Sequence, residues 1–372
     1  MKYSNCLKHI KKFLFLLLIT VPTLAGTDEP TFVHGFRDFR QFLYIFENGT
    51  SRVLEQQPVR SFKAKGQLIA YANNANDLIA YYNGEKFKLG DMTATSYEIT
   101  QSFMYYRRDL LLNVFDKGQS IPLTFFLRDF IATDSLLVFR DKNVDILRVY
   151  WNGAVHDLET TLTGSLRDYK AGENTVAYVN QSGFFKVYLD DHVYDLDNME
   201  PVAYEAGGDI VAYIDGLYNY LKVFFRGKIL VLEKFRPQSF KTGVGLVAFV
   251  ADDNTFKVFN NGKLMRVEAY PPEFYVVRDR TVLFYINNRL QVLVDGIRYE
   301  LDEFMPSNYQ LSENNVAWID INGRLHIFSD GKSHEVSLER ITSYELNGNT
   351  LKFDLPDGTS RIWYKGKVFG NN

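Results

Sequence analysis

Leu221-Lys222-Val223-Phe224-Phe225-Arg226-Gly227-Lys228-Ile229-Leu230-Val231-Leu232-Glu233 decides the fold. A short β-rich run leads into a glycine corner, and a second run follows it, which is the pattern of a β-hairpin. Close copies lie at 256–268, 290–302, 325–337, 185–197 and 147–159, and looser ones at 43–55, 78–89, 111–123 and 361–369. The corner residues are Gly49, Gly84, Gly118, Gly153, Asp191 in the glycine slot, Gly227, Gly262, Gly296, Gly331 and Gly366. They step by 35, 34, 35, 38, 36, 35, 34, 35 and 35 residues. Spacing this even marks a repeat architecture, so the chain is one array and not a string of unlike domains.

Residues 27–41 form a lead-in, with a first strand expected at 32–36. Each period then has four parts. The first carries one aromatic: Phe62, Tyr97, Phe130, Tyr169, Tyr204, Phe240, Tyr275, Tyr309 and Tyr344. The second is the most apolar, as in Leu68-Ile69-Ala70-Tyr71 and Leu246-Val247-Ala248-Phe249. The third and fourth are the two arms of the hairpin, and the fourth ends on Leu or Val plus an acid. All are four to seven residues long, rich in β-branched and aromatic types and bounded by Gly, Asn or Asp, which are strand signals. No helical spacing persists, which excludes ankyrin and tetratricopeptide repeats of similar length.

Four short strands cannot bury both faces of their own sheet. Sheets stacked around an axis can, and that is a β-propeller. The expected fold is therefore all-β, a β-propeller of about nine to ten thin four-stranded blades with a repeat of about 35 residues. The doubly apolar second strand suits the middle of a blade. The link after the fourth strand, for example 55–60 or 197–201, is the longest and should cross to the inner strand of the next blade. The first unit is expected to lack its inner strand. One ring, two smaller rings or an open array all fit the count, and a single ring is the expectation.

Ser312-Glu313-Asn314-Asn315-Val316-Ala317-Trp318-Ile319-Asp320, continuing to Leu325-His326-Ile327-Phe328-Ser329-Asp330-Gly331-Lys332, resembles a blade of the Tol-system periplasmic propeller. Units five to nine carry this likeness best. The Ser-Pro-Asp-Gly turn of that family is missing, and the period is shorter than its low forties. The Trp-Gly repeats of bacterial surface proteins have a closer period, but the Trp-Gly pair is absent. What the resemblance implies is a propeller that acts by interaction; a blade pattern alone is shared by many functions.

The chain has 372 residues, 24 Tyr and 30 Phe, enough large side chains for a substantial core. Its net charge is -3, and the four lysines of residues 1–26, with no acid among them, leave -7 on the remainder. No basic run occurs, so a nucleic-acid partner is not expected. Lys2, Lys8, Lys11 and Lys12 precede an apolar stretch at 13–21, then Pro22 and Thr23-Leu24-Ala25. This is the pattern of an export signal cut after Ala25 or Gly26. The apolar stretch is about half the ~20 residues needed to span a bilayer, so 27–372 is expected to be a single exported propeller domain that does not span the membrane. The only cysteine, Cys6, lies in the signal. A secreted domain without disulfides points to a periplasm, with an extracellular location as the alternative.

Little chemistry stands out. No His-Glu-x-x-His, Gly-x-Ser-x-Gly, phosphate-loop or calcium-loop motif is present. His156 and His192 fall in hairpins, and two ligands are too few for a closed zinc site. Asp190-Asp191-His192 and Asp252-Asp253-Asn254 could hold a cation, but Asp and Asn are also ordinary turn residues. Glu55, Glu159, Asp197, Glu233, Glu268 and Asp302 recur at one slot, as a charged ring or as structural strand ends. Trp151, Trp318 and Trp363 occupy strand positions. Phe125-Phe126 and Tyr218 with Tyr220 sit in loops, where a glycan could stack.

No catalytic, cofactor or metal residue is assigned, and no cofactor is expected. The leading functional expectation is a non-enzymatic binding scaffold of the cell envelope that engages a protein partner, within an outer-membrane or secretion assembly. A lectin-like glycan binder is the first alternative. The second is a propeller enzyme such as a glycosidase, with two acids converging at the central channel.

Overall fold

The computed structural model describes residues 32–91, 95–143, 146–159 and 168–370; the export signal read at 1–26 lies outside them. The chain forms ten antiparallel sheets, each made of strands consecutive in sequence. Blade 1 has three strands, β1 (His34–Arg37), β2 (Phe42–Glu47) and β3 (Thr50–Pro58). Blades 2 to 10 have four each and cover 61–91, 95–124, 127–159, 168–197, 203–233, 239–268, 274–302, 308–337 and 343–370. The blade count is thus ten in a single ring. Blade 1 has no inner strand among the described residues, and the stretch before Phe32, on which the sequence reading of that strand bears, lies outside them. Its first strand begins two residues later than expected, and β3 runs on to Pro58, which shortens the link expected at 55–60.

All ten hairpins turn where the corner residues stand. Asn48, Asn83, Lys117, Asn152, Arg226, Asn261, Asp295, Asp330 and Lys365 take φ between 45° and 50° or close to it, and the glycines after them are also left-handed, as hairpins of this type require. Asp191 takes φ 61° in the glycine slot. The second strand of blades 2, 5, 6 and 7 is buried at all five positions. A sheet middle wetted on neither face needs a near-continuous apolar run.

The core lies between blades rather than within them. The buried side chains group into ten clusters, one at each junction of neighbouring blades. Between blades 5 and 6, Phe185 packs on Tyr204 and Tyr213 with ring centroids 5.0 and 5.2 Å apart. The acids that end the fourth strands act as staples to the next blade. Glu159, Asp197 and Glu233 meet Lys186, Lys222 and Lys257, Glu268 meets Arg298, and Asp302 accepts from Trp318 Nε1 at 3.0 Å. Their recurrence is therefore structural.

Among the described residues no strand is exchanged to close the ring. Blade 10 joins blade 1 through Phe46, whose ring lies 5.3 Å from Phe369 and 6.0 Å from Tyr364. Asn347, 1% exposed, completes the seam. Its Nδ2 donates to Val33 O at 2.8 Å, and its Oδ1 accepts from Gly66 N at 3.0 Å, so one amide links blade 10 to blades 1 and 2. Asn347→Ala leaves those backbone groups buried without partners. We expect a loss of about 2 kcal/mol, read as a lower denaturant midpoint; an unchanged midpoint would mean the seam is held elsewhere.

Candidate functional site

A four-strand meander puts its loops at two ends. The turn between strands one and two and the hairpin between strands three and four share one face of the ring, here the corner face. The turn between strands two and three and the link to the next blade share the other, the connector face. The exposed large apolar side chains divide unequally between them. Those outside strands all lie on the connector face: Phe39, Leu110, Phe184, Leu217, Tyr218 and Ile321 in second-to-third turns, the others in the links. None lies in a corner-face turn among the described residues.

The links carry a regular set. Phe126, Met199, Phe235, Tyr270 and Phe304 each stand two residues past the last residue paired in the fourth strand. They are 48, 46, 66, 68 and 48% exposed, and Leu338 follows after blade 9 at 73%. Proline two residues later in several links, Pro201, Pro237, Pro272 and Pro306 in the order of the blades, holds the link extended. The result is an apolar arc across the second half of the ring. The loop aromatics noted from sequence belong to the same face: Phe125-Phe126 in the link after blade 3, and Tyr218 stacked on Tyr220 at 5.4 Å in the turn of blade 6. The regular arc was missed. Its signal was present as a large apolar residue two places past the strand-ending acids Asp197, Glu233, Glu268 and Asp302.

The second feature is the channel. Gly172, Gly207 and Gly243 end the inner strands of blades 5 to 7, and each brings its Cα against the backbone of the next blade. A Cβ on them would meet Gly207 O at 2.2 Å, Gly243 O at 2.2 Å and Asp279 O at 2.3 Å. Gly208 and Val244 form a parallel bridge there. Side chains then cross the axis. Asp134 of blade 4 accepts from Lys65 of blade 2 at 2.5 Å and from Arg278 of blade 8 at 2.7 Å. Gln101 Nε2 of blade 3 reaches Ser312 Oγ of blade 9 at 3.2 Å. Two chambers of about 630 and 450 Å³ result, with Glu173, Gly208 and Asp279 as a common wall.

The smaller chamber, at the corner face, is lined by Asp134, Glu173, Asp209, Asp279 and Glu313 with Arg280. Their environments separate them. Burial and the nearby Asp134 and Asp279 charges push Glu173 up to about 7. Burial raises Asp279 to about 6, opposed by Arg278, and burial with the Asp134 charge raises Glu313. Burial works against an ionised Asp134 too, but Lys65 and Arg278 overcome it and hold Asp134 below its ordinary range. Asp209, Asp279 and Glu313 also adopt φ of 58, 51 and 53° in the first-to-second turns, a left-handed setting that Glu seldom takes.

The other residues noted from sequence stay apart. His156 Nε2 lies 3.2 Å from Asp191, whose Oδ1 also accepts from Tyr188. His192 turns to its own loop, 2.7 Å from Asp190 O. Asp253 caps the turn at Thr255. No group of three or more His, Cys, Asp or Glu suited to a metal ion occurs among the described residues. Trp318 and Trp363 are core, and Trp151 edges the smaller chamber. No described helix is long and apolar enough to cross a membrane.

Comparison with curated proteins returned no match. Among solved structures the chain is similar to the computationally designed Ika8 protein, at 15% identity and TM-score 0.34, covering 82% of this chain and 96% of that one. It is also similar to the CRINKLY WD40 ectodomain of the Arabidopsis thaliana receptor kinase ACR4, at 9% identity and TM-score 0.31, covering 64% and 93%. A third is Kluyveromyces lactis Hsv2p, at 12% identity and TM-score 0.32, covering 66% and 98%. The model of the 10-bladed beta propeller domain matches residues 29–369. With ten consecutive sheets closed into one ring, the chain belongs to the 10-bladed beta propeller domain family.

Proposed function

We propose that this protein is a non-enzymatic scaffold of the cell envelope that binds a protein partner on its connector face. One observation carries this: among the described residues the exposed large apolar side chains outside strands lie on that face, and they recur in the links after blades 3 and 5 to 9. A soluble surface seldom keeps so large an apolar set without a partner to cover it, and aromatic anchors supply most of the energy of protein interfaces. The export pattern of residues 1–26 supports a periplasmic or extracellular site. The blade-level likeness to the Tol-system propeller supports an assembly role.

The test is affinity purification from the native envelope, with the wild-type chain and with a Phe235→Ser, Tyr270→Ser, Phe304→Ser variant. The three side chains are exposed, so the variant should melt like wild type. A stoichiometric partner should co-purify with wild type and fall by about tenfold or more with the variant. An empty wild-type purification, or equal yields, would contradict the proposal.

A second reading rests on the smaller chamber. Carboxyls pushed to opposite protonation states in one cavity can divide acid and base roles, as glycosidases require. There Glu173, pushed up, would give a proton, and Asp134, held low, would be the ionised second carboxylate. Turnover of chromogenic glycosides by the wild type, abolished in Glu173→Gln, supports this reading; no turnover across the panel removes it.

A further inference from the structure

The last strand of each blade is the outer edge of its sheet. Such an edge offers unpaired N–H and C=O groups to any strand that meets it. Most blades carry a guard there, four residues past the corner. It is Lys88 or Pro122 in blades 2 and 3, Asp157 or Asp195 in blades 4 and 5, and Arg266, Glu300 or Glu335 in blades 7 to 9. A charge or a proline at an edge blocks a further strand. Blade 6 has Val231 instead. Its last strand, Lys228–Glu233, also carries Ile229 and Leu230. Three apolar residues thus follow one another along the rim, 45, 37 and 50% exposed in chain order. Blades 1 and 10 place Val53 and Gly370 in the slot, but Ser51 stands two before Val53, and Gly370 has no side chain. Among the described residues only blade 6 joins apolar side chains at both places.

Pairing with the third strand fixes which groups are free. Phe225 and Lys228 flank the turn Arg226-Gly227, and Val223 faces Leu230 two residues on. Residues that flank a two-residue turn exchange both ladder bonds, and the exchange recurs at every second pair. Lys228 and Leu230 are therefore bonded inward, while Ile229 and Val231 aim their N–H and C=O away from the sheet. The free groups fall on the two most exposed apolar residues of the strand. Charge at its ends then selects the occupant. Arg226 and Lys228 at the corner end and Lys234 and Arg236 at the connector end are all exposed. The one acid among them, Glu233, is taken up by Lys257 at 2.6 Å. A second copy of this strand, laid in either direction, would bring cations onto cations. A segment with acids at both ends meets them with opposite charge.

We propose that this edge is a strand-addition site, which takes an extended segment of a partner protein with an apolar middle and acidic flanks as the fifth strand of blade 6. Ladder bonds to Ile229 and Val231 supply the affinity, and the cations at both ends select the segment. The site lies on the rim and stands whether or not the connector face binds a partner.

The probe is a labelled Asp-Asp-Val-Thr-Val-Thr-Val-Asp-Asp peptide, titrated into the purified chain by fluorescence anisotropy. Binding should saturate at one site and weaken about tenfold or more when lysines replace the aspartates. Val231→Lys puts the guard back at an exposed position. That chain should melt like wild type and lose the peptide by a similar factor. Amide-resolved hydrogen exchange should slow on binding at Ile229 and Val231 and stay unchanged at Lys228 and Leu230. Absent saturation, indifference to the peptide charge or to Val231→Lys, or equal slowing at all four amides overturns the proposal. So does a wild-type chain that sediments as a dimer while Val231→Lys sediments as a monomer, since the edge would then take a second copy. The Tyr270→Ser, Phe304→Ser chain should bind the peptide unchanged, so this edge and the connector face fail or hold separately.

Discussion

Gly207→Val should cost roughly 3–4 kcal/mol and lower the melting temperature by roughly 5–10 °C. The cause is contact and not backbone angle. A Cβ at residue 207 would stand 2.2 Å from Gly243 O, 3.0 Å from Ile210 Cγ2 and 3.1 Å from Thr242 Cβ. The first of these is backbone on the next inner strand, which can move only by opening the ring. Gly227→Ala is the contrast. Gly227 has φ +74° and nothing within 4 Å of its would-be Cβ, so the substitution should cost only about 1 kcal/mol. Equal losses at the two positions would show that the inner strands do not pack as closely as described.

The second large effect is a fall in stability as pH rises from about 4.5 to 7, a range set by Glu173. An unfolded glutamate loses its proton near 4.5, while folded Glu173 keeps it to about 7. The folded state therefore holds the extra proton between these values. The stability this group permits is whole below 4.5, declines through the interval and is flat above 7. The difference corresponds to about 3 kcal/mol. Asp279, raised to about 6, adds to the same decline. Asp134, held low by Lys65 and Arg278, acts oppositely and withdraws stability only in strong acid. Glu173→Gln should gain about 2 kcal/mol at pH 8 and nothing near pH 4.5. Denaturant melts at the two pH values check this; an unchanged pH slope in the variant would place the buried charge elsewhere.

Much of the ring could be read from the chain. The corner at Arg226-Gly227 and its copies set the hairpins because positive φ is tolerated by few residues, so their spacing survives drift in everything else. Runs such as Leu246-Val247-Ala248-Phe249 identified the middle strands because burial on two faces leaves no room for alternation. Ten blades as against nine, and one ring as against two, depended on the packing of Phe46 against Phe369 and on the Asn347 bridge, contacts between opposite ends of the sequence that no local pattern records.

The candidate sites were less legible for a related reason. Asp134 and Arg278 are 144 residues apart, and each looks like an ordinary turn or strand-end charge in its own repeat. Only the ring brings them together. A trace was available in the first-to-second turns, where Gly66 and Gly348 in two blades give way to Asp279 and Glu313 at the same left-handed position. The connector arc is masked in the sequence by the strand periodicity that runs up to it. Phe235 and Tyr270 look like further strand aromatics until the end of the fourth strand is fixed by its bulged pairing with the third.

The scaffold proposal is tested most directly by hydrogen exchange on the chain alone and in complex with its co-purified partner. Exchange should slow on binding at the links 198–202, 234–238, 269–273 and 303–307, with the hairpin corners at 226–227, 261–262 and 295–296 unchanged. Slower exchange at those corners with the links unchanged would place the partner on the wrong face and contradict it.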